Sequence, residues 1–216
     1  MDILEIMKAR HSVRQYSDKK IEGNKREALT ALINECNQES GMNIQIFFDE
    51  PKCFHSMMAH YGKFSGVKNY IALVGEKNAA LDETAGYYGE RIVLKAQELG
   101  LNTCWVAMTH GKSAAENKKG EKQACIIALG YGVTQGTAHP NKSLEQLCNC
   151  ASDMPDWFFR GMEGALLAPT AMNQQKFCII LEDGKVSVKA GKGFYTKMDR
   201  GIVKYHFEAV TGRKTE

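Results

Sequence analysis

Ala168-Pro169-Thr170-Ala171-Met172-Asn173-Gln174-Gln175 follows an apolar run, Gly164 to Leu167, of helical character. The proline has no N–H to give and ends the helix. Small residues and amides come next, and Asn and Gln both donate and accept hydrogen bonds. A fainter copy lies 130 residues earlier, where Ser40-Gly41-Met42-Asn43-Ile44-Gln45 falls over Thr170-Ala171-Met172-Asn173-Gln174-Gln175. The preceding helices agree in pattern: Leu29 over Phe159, Leu32 over Met162, Cys36 over Leu166. A strand follows each copy, ending near Phe48 or Cys178. Leu4-Glu5 over Leu144-Glu145 is a shorter echo. Either two helix-turn-strand units coincide by chance, or one half is duplicated and the chain imitates a two-fold dimer.

The copies differ chemically. Copy one carries Arg10-His11-Ser12-Val13-Arg14 after its first helix, where copy two has Cys150-Ala151-Ser152-Asp153-Met154 and neither arginine. Copy two carries Ala168-Pro169-Thr170 where copy one has Gln38-Glu39-Ser40. This asymmetry predicts one complete site per pair of copies. In an extended segment Arg10, Ser12 and Arg14 share a face. Two guanidinium forks and a hydroxyl suit a phosphate, although an isolated R-x-S-x-R is more often a solvated basic turn. His139-Pro140-Asn141-Lys142 adds a basic loop, whose lysine is ordinarily solvated but would be a third positive contact beside a phosphate.

Outward from these strings, hydrophobic spacing predicts helices over 2–9, 24–38, 82–99, 143–151, 156–168 and 199–210. It predicts strands at 44–48, 69–75, 125–129, 177–181 and 185–189, the last two joined by an Asp183-Gly184 hairpin turn. Leu101 to Met108 reads as a strand or turn, with Trp105 in the core, and 52–68 as loop-rich. The 69–75 run is apolar throughout, as a central strand is. This mixture gives an α+β layer fold, taken as one domain over 1–216 with internal halves about 1–142 and 143–216.

The chain has 216 residues, 44% hydrophobic and 25% charged, enough for an ordinary packed core. A formal charge of +3 implies neither nucleic acid nor membrane. No apolar run reaches the roughly 18 residues needed to span a bilayer, and the Met1 to Lys8 start has no signal-peptide core. Seven scattered cysteines read as buried thiols of a cytoplasmic protein. Cys148 and Cys150, two apart on a predicted helix, make a poor metal pair, and no metal is expected. There is no Walker A lysine motif, no GxGxxG after a strand and no G-x-S-x-G elbow. Cys104 has no adjacent base, and His206 sits in a helical stripe as a core or interface histidine.

The order of these strings resembles the FMN-dependent nitroreductase family over most of the chain. It runs from an N-terminal helix into Arg10-His11-Ser12-Val13-Arg14, through a long helix into Gly100-Leu101-Asn102-Thr103-Cys104-Trp105, then a strand into Ala128-Leu129-Gly130-Tyr131 and the basic loop. The family's Pro/Asn/Gln string ordinarily precedes the long helix. Here that slot holds Glu39 to Gln45 and the proline form comes late, so the resemblance is to a divergent branch whose chain carries both halves. It implies a nitroreductase-like fold, a mainly antiparallel central sheet flanked by helices, with an internal pseudo-two-fold. It implies FMN as cofactor, NADH or NADPH as co-substrate, and a small electron-poor acceptor such as a nitroaromatic or quinone. Arg10, His11, Ser12 and Arg14 would hold the phosphate and ribityl chain, with Lys142 and His139 adding charge. Pro169, Thr170, Met172, Asn173 and Gln175 would touch the flavin edge, and the backbone of Trp105, Val106 and Ala107 would donate near N5. No side chain is expected as acid or base. The resemblance leaves a pseudo-dimeric monomer or a homodimer. A flavin sensor or carrier without turnover, or a same-fold enzyme of dehalogenation or flavin fragmentation, are the rival readings.

Overall fold

The apolar run at Asn69 marks the middle of a sheet. In the computed structural model, which describes residues 2–150 and 152–216, β2 (Asn69–Glu76) lies between β1 (Gln45–Phe47) and β4 (Glu121–Gly130), and β3 (Asn102–Val106) pairs with the far side of β4. All three pairings are antiparallel. Every residue of β2 except Glu76 is buried, so both faces of this strand are covered.

The chain divides into two compact units. One comprises Arg10–Leu81 and Arg91–Thr137 and holds the sheet, α2 (Gly23–Ser40), α3 (Met57–Tyr61) and the second half of α4 (Leu81–Glu98). Its core gathers Val13, Tyr16, Phe54, Phe64, Tyr70, Cys104, Val106, Ile126 and Ala128. Phe47 stacks on Tyr70 with ring centroids 4.9 Å apart. α2 ends at Gly41 in the left-handed region, whose N–H bonds Asn37 O.

The other unit comprises Met1–Ala9, Asp82–Glu90 and Ala138–Glu216. It holds α1 (Ile3–Ala9), α5 (Leu144–Leu147), α6 (Asp156–Leu166), the hairpin β5 (Phe177–Glu182) and β6 (Lys185–Ala190), and α7 (Thr196–Thr211). Asp183 and Gly184 turn the hairpin at φ +51° and +75°, the conformation its sequence predicts. The first half of α4 crosses α7 backbone to backbone. A Cβ on Gly86 would lie 2.1 Å from Met198 O, and one on Gly201 would lie 2.0 Å from Glu83 O. Buried His206 on α7 is held by Gly164 O at 2.8 Å and Glu90 at 2.9 Å, a satisfied core histidine as its stripe implies. None of the seven cysteines is in a disulfide. Among the described residues no helix is long and apolar enough to cross a membrane.

Three expectations need correction. The predicted helix over 143–151 stops at Leu147, where Cys148 turns extended and bridges Ile179; its last residue, Ala151, lies outside the described residues. Cys148 and Cys150 therefore share no helix, and their side chains are hydrogen-bonded to each other. β4 begins at Glu121, well before the apolar run, because its first residues pair with Val74 to Glu76 across a bulge and stay half exposed. α3 interrupts the loop-rich stretch. Ser56 caps it by accepting from Ala59 N, yet only Ala59 is buried, so no apolar period announces it. The copies agree in the order helix, turn, strand, but their aligned residues differ in surroundings. Leu29 is fully buried, while Phe159 is 44% exposed.

Candidate functional site

Residues 10–16 run extended beside the sheet. Val13 N donates to Thr103 O at 3.0 Å, Ser65 N donates to Arg14 O at 3.0 Å, and Tyr16 N donates to Ser65 O at 3.0 Å. Alternation then sorts the side chains. His11 and Val13 pack beside Gly136, and Val13 enters the core, as does Tyr16 out of step with the alternation. Ser12 is hydrogen-bonded to the Cys104 thiol, and Arg14 and Arg10 both act electrostatically on that sulfur. Burial nevertheless wins and pushes the Cys104 thiol up. The group expected to share a face, Arg10, Ser12 and Arg14, thus acts on the Cys104 thiol. Its members differ in exposure: Arg10 is 3% exposed, whereas Ser12 and Arg14 are open to solvent. The Arg14 guanidinium also lies 6.0 Å from the Phe64 ring centre. Half-buried Trp105 and buried Val106 end β3 in the same unit, and half-buried Ala107 follows them.

The amide string forms a strained turn in the other unit. Met172, Asn173 and Gln175 have φ of +52°, +51° and +42°. Side chains other than glycine rarely adopt this region, and each instance costs on the order of 1 kcal/mol or more unless its surroundings enforce it. Those surroundings are hydrogen bonds. Asn173 N donates to Thr170 O at 2.9 Å, and Gln175 N donates to Thr170 Oγ1 at 3.0 Å. Gln175 is 2% exposed. Its Oε1 accepts from Lys142 N at 2.7 Å, and its Nε2 donates to Asn141 Oδ1 at 3.0 Å. The Lys142 ammonium donates to Gln174 O at 2.8 Å and Gln175 O at 3.0 Å. The basic loop and the amide string are therefore one structure. Lys142 fastens the turn with two of its three N–H bonds, and the Gln175 side chain faces inward. Half-buried His139 lies 3.3 Å from Pro140 O, Pro169 is half buried and Met172 is 83% exposed.

Asn173 stands apart. Its Nδ2 donates to Pro140 O at 2.8 Å, while its Oδ1 is buried without a hydrogen-bond partner. Exchanging the two amide atoms would press Oδ1 against a carbonyl oxygen, so this orientation is the consistent one. A buried acceptor left unmatched costs about 1–3 kcal/mol and calls for a donor.

Asp199, at the start of α7, carries no motif and was invisible in the sequence. Its Oδ1 accepts from Ala171 N at 2.9 Å and its Oδ2 from Gln174 Nε2 at 2.7 Å. Burial pushes its carboxyl up to about 6 against the pull of these two donors. An aspartate in the first turn of a helix is usually a helix-terminus residue, and nothing in the sequence links it to a turn so far upstream.

The expected residues thus fall into two groups: Arg10, His11, Ser12, Arg14 and Trp105 to Ala107 in one unit, and His139, Lys142 and Pro169 to Gln175 in the other. A family model described as "Putative TM nitroreductase" matches residues 2–211. The chain belongs to this nitroreductase family. It is an oxidoreductase of that kind, and no curated protein matches it significantly. A Thermotoga maritima structure described as a nitroreductase is similar at 22% identity, with a TM-score of 0.72 over 97% of this chain and 83% of that one. A Desulfovibrio desulfuricans nitroreductase solved in complex with FMN gives 19% identity and a TM-score of 0.53 over 71% and 96%. A Parabacteroides distasonis structure described as an NADH dehydrogenase/NAD(P)H nitroreductase gives 17% and 0.52 over 67% and 95%. These likenesses establish the fold for the nitroreductase-family chain: helices with an antiparallel sheet.

Proposed function

We propose that this nitroreductase-family chain binds FMN and passes hydride from NADH or NADPH to an electron-poor acceptor such as a nitroaromatic or quinone. The observation that carries the reading is the buried, unmatched Asn173 Oδ1 on a strained turn. It is an acceptor waiting for a donor, and the pyrimidine edge of a flavin offers an N–H. A bound flavin complex in the D. desulfuricans relative supports the reading.

FMN, when bound, supplies hydride acceptance and release at its ring nitrogen. The chain's own residues do the holding. Arg10, Ser12 and Arg14 present two positive forks and a hydroxyl to a phosphate close to dianionic. Asn173 would accept from the ring edge, and Pro169, Thr170 and Met172 belong to the same turn. The backbone from Trp105 to Ala107 would donate to the flavin ring, and the Lys142 charge, with His139 near it, would oppose the cost of negative charge there. Gln175 and Lys142 hold the turn in shape. No side chain is needed as acid or base. Seven cysteines outside any disulfide fit a reducing, cytoplasmic compartment.

The purified protein should be yellow. Arg10→Ala/Arg14→Ala should lose most bound flavin, and Asn173→Ala should weaken FMN binding about tenfold, the equivalent of one hydrogen bond to a buried acceptor. Anaerobic NADH or NADPH should bleach the wild type. Colourless protein, or variants with wild-type flavin content, would count against the assignment, and a yellow protein that neither nucleotide bleaches would be a carrier.

A further inference from the structure

We infer that Asp199 is a positioning residue for the cofactor: it acts through Gln174 and Ala171 to hold the turn that presents Asn173. This rests on the FMN reading above. The geometry is specific. Gln174 Nε2 donates to two acceptors at once, Asp199 Oδ2 at 2.7 Å and Phe194 O at 2.9 Å. The amide nitrogen must therefore face Asp199, and only an atom without a proton completes the arrangement. The second carboxylate oxygen takes the Ala171 N–H at the first residue of the strained segment. One buried, 2% exposed carboxylate thus pins both a backbone amide and a side-chain amide on either side of Met172 and Asn173.

The charged groups on the surrounding elements are otherwise engaged. Lys142 is bonded to Gln174 O and Gln175 O, and Arg200 and Lys204 are paired with Glu83 of α4. Lys176 follows the turn and Lys197 lies on the same helix, and neither is bonded to Asp199, whose two donors are both neutral amides. A helix that had no need of this anion would gain by losing it, since burial alone disfavours the charge.

Asparagine at this position mimics the protonated acid, with one acceptor and a donor turned against the Gln174 amine. The test follows FMN release from full-length protein by the rise in flavin fluorescence, between pH 5 and 8. Asp199→Asn should bind FMN at least tenfold more weakly at pH 7.5. Both proteins should bind more weakly at low pH as the FMN phosphate loses its second charge, but wild-type affinity should fall more steeply than that of the variant as pH drops through about 6, because protonation of Asp199 removes one acceptor. Gln174→Ala, which leaves Asp199 in place, should weaken FMN in the same direction, and the double variant should be no worse than the weaker single one. Wild-type affinity and an unchanged pH profile in Asp199→Asn would overturn the inference. So would additive losses in the double variant, and, should Asp199→Asn not fold, wild-type FMN affinity in Gln174→Ala. A wild type that never takes up FMN would instead overturn the flavin reading itself.

Discussion

Buried Asp199 reverses the usual acid behaviour of a carboxylate. Its folded-state pKa is raised to about 6 from 3.8, so the folded chain holds the proton more tightly than the unfolded chain. Its contribution to stability is greatest below pH about 4 and is lost as pH rises to about 6. Carboxylates held low, such as Asp18, Asp49, Glu121 and Glu208, act in the opposite sense, and they do so below their unfolded values. Between pH 7 and pH 5 Asp199 therefore stands out. Thermal melts should show the wild type gaining about 1 kcal/mol relative to Asp199→Asn over that interval, a few degrees in Tm for a chain of this size. Equal slopes for both proteins would contradict the assignment. At this scale the sequence revealed residue types but not their uses. The amides of 173–175 were legible as a hydrogen-bonding string. Which amide faces outward depends on three positive φ angles that no residue there demands, because tertiary hydrogen bonds impose them.

Helices and strands were easier to read, since each long element carries its own period. α2, α4, α6 and α7 follow their apolar stripes, and β2 and the β5–β6 hairpin follow their runs and turn. The elements misread were those with little burial of their own: α3, with one buried residue, and the half-exposed start of β4. The α4–α7 crossing was not legible at all. Gly86 and Gly201 look like ordinary weak points in helices, and only the meeting of two backbones explains them. Gly201→Ala should destabilise the protein by about 1–3 kcal/mol, despite the better helix propensity of alanine, because the added methyl meets a carbonyl oxygen rather than a movable side chain. Denaturant unfolding measures this directly. The same substitution at Gly23, whose Cβ position is open, serves as control and should be nearly neutral. A stable Gly201→Ala protein would mean the crossing is looser than described.

For the molecule as a whole, the distribution of the two motifs along the chain carries the prediction. The arginine motif occurs only near the N-terminus and the proline-amide string only near residue 170. We therefore expect one FMN per chain, whatever the solution mass. Flavin absorbance against amino-acid analysis gives the ratio, and two per chain would mean that Glu39 to Gln45 builds a second site. Burial pushes the thiols of Cys36 and Cys53 up to about 11 and about 12, and those of Cys104, Cys150 and Cys178 upward too. At neutral pH only about one Cys36 in ten thousand is ionised. Sulfur in this state is a poor nucleophile, so peroxide or stray electrophiles reaching these thiols would meet inert side chains.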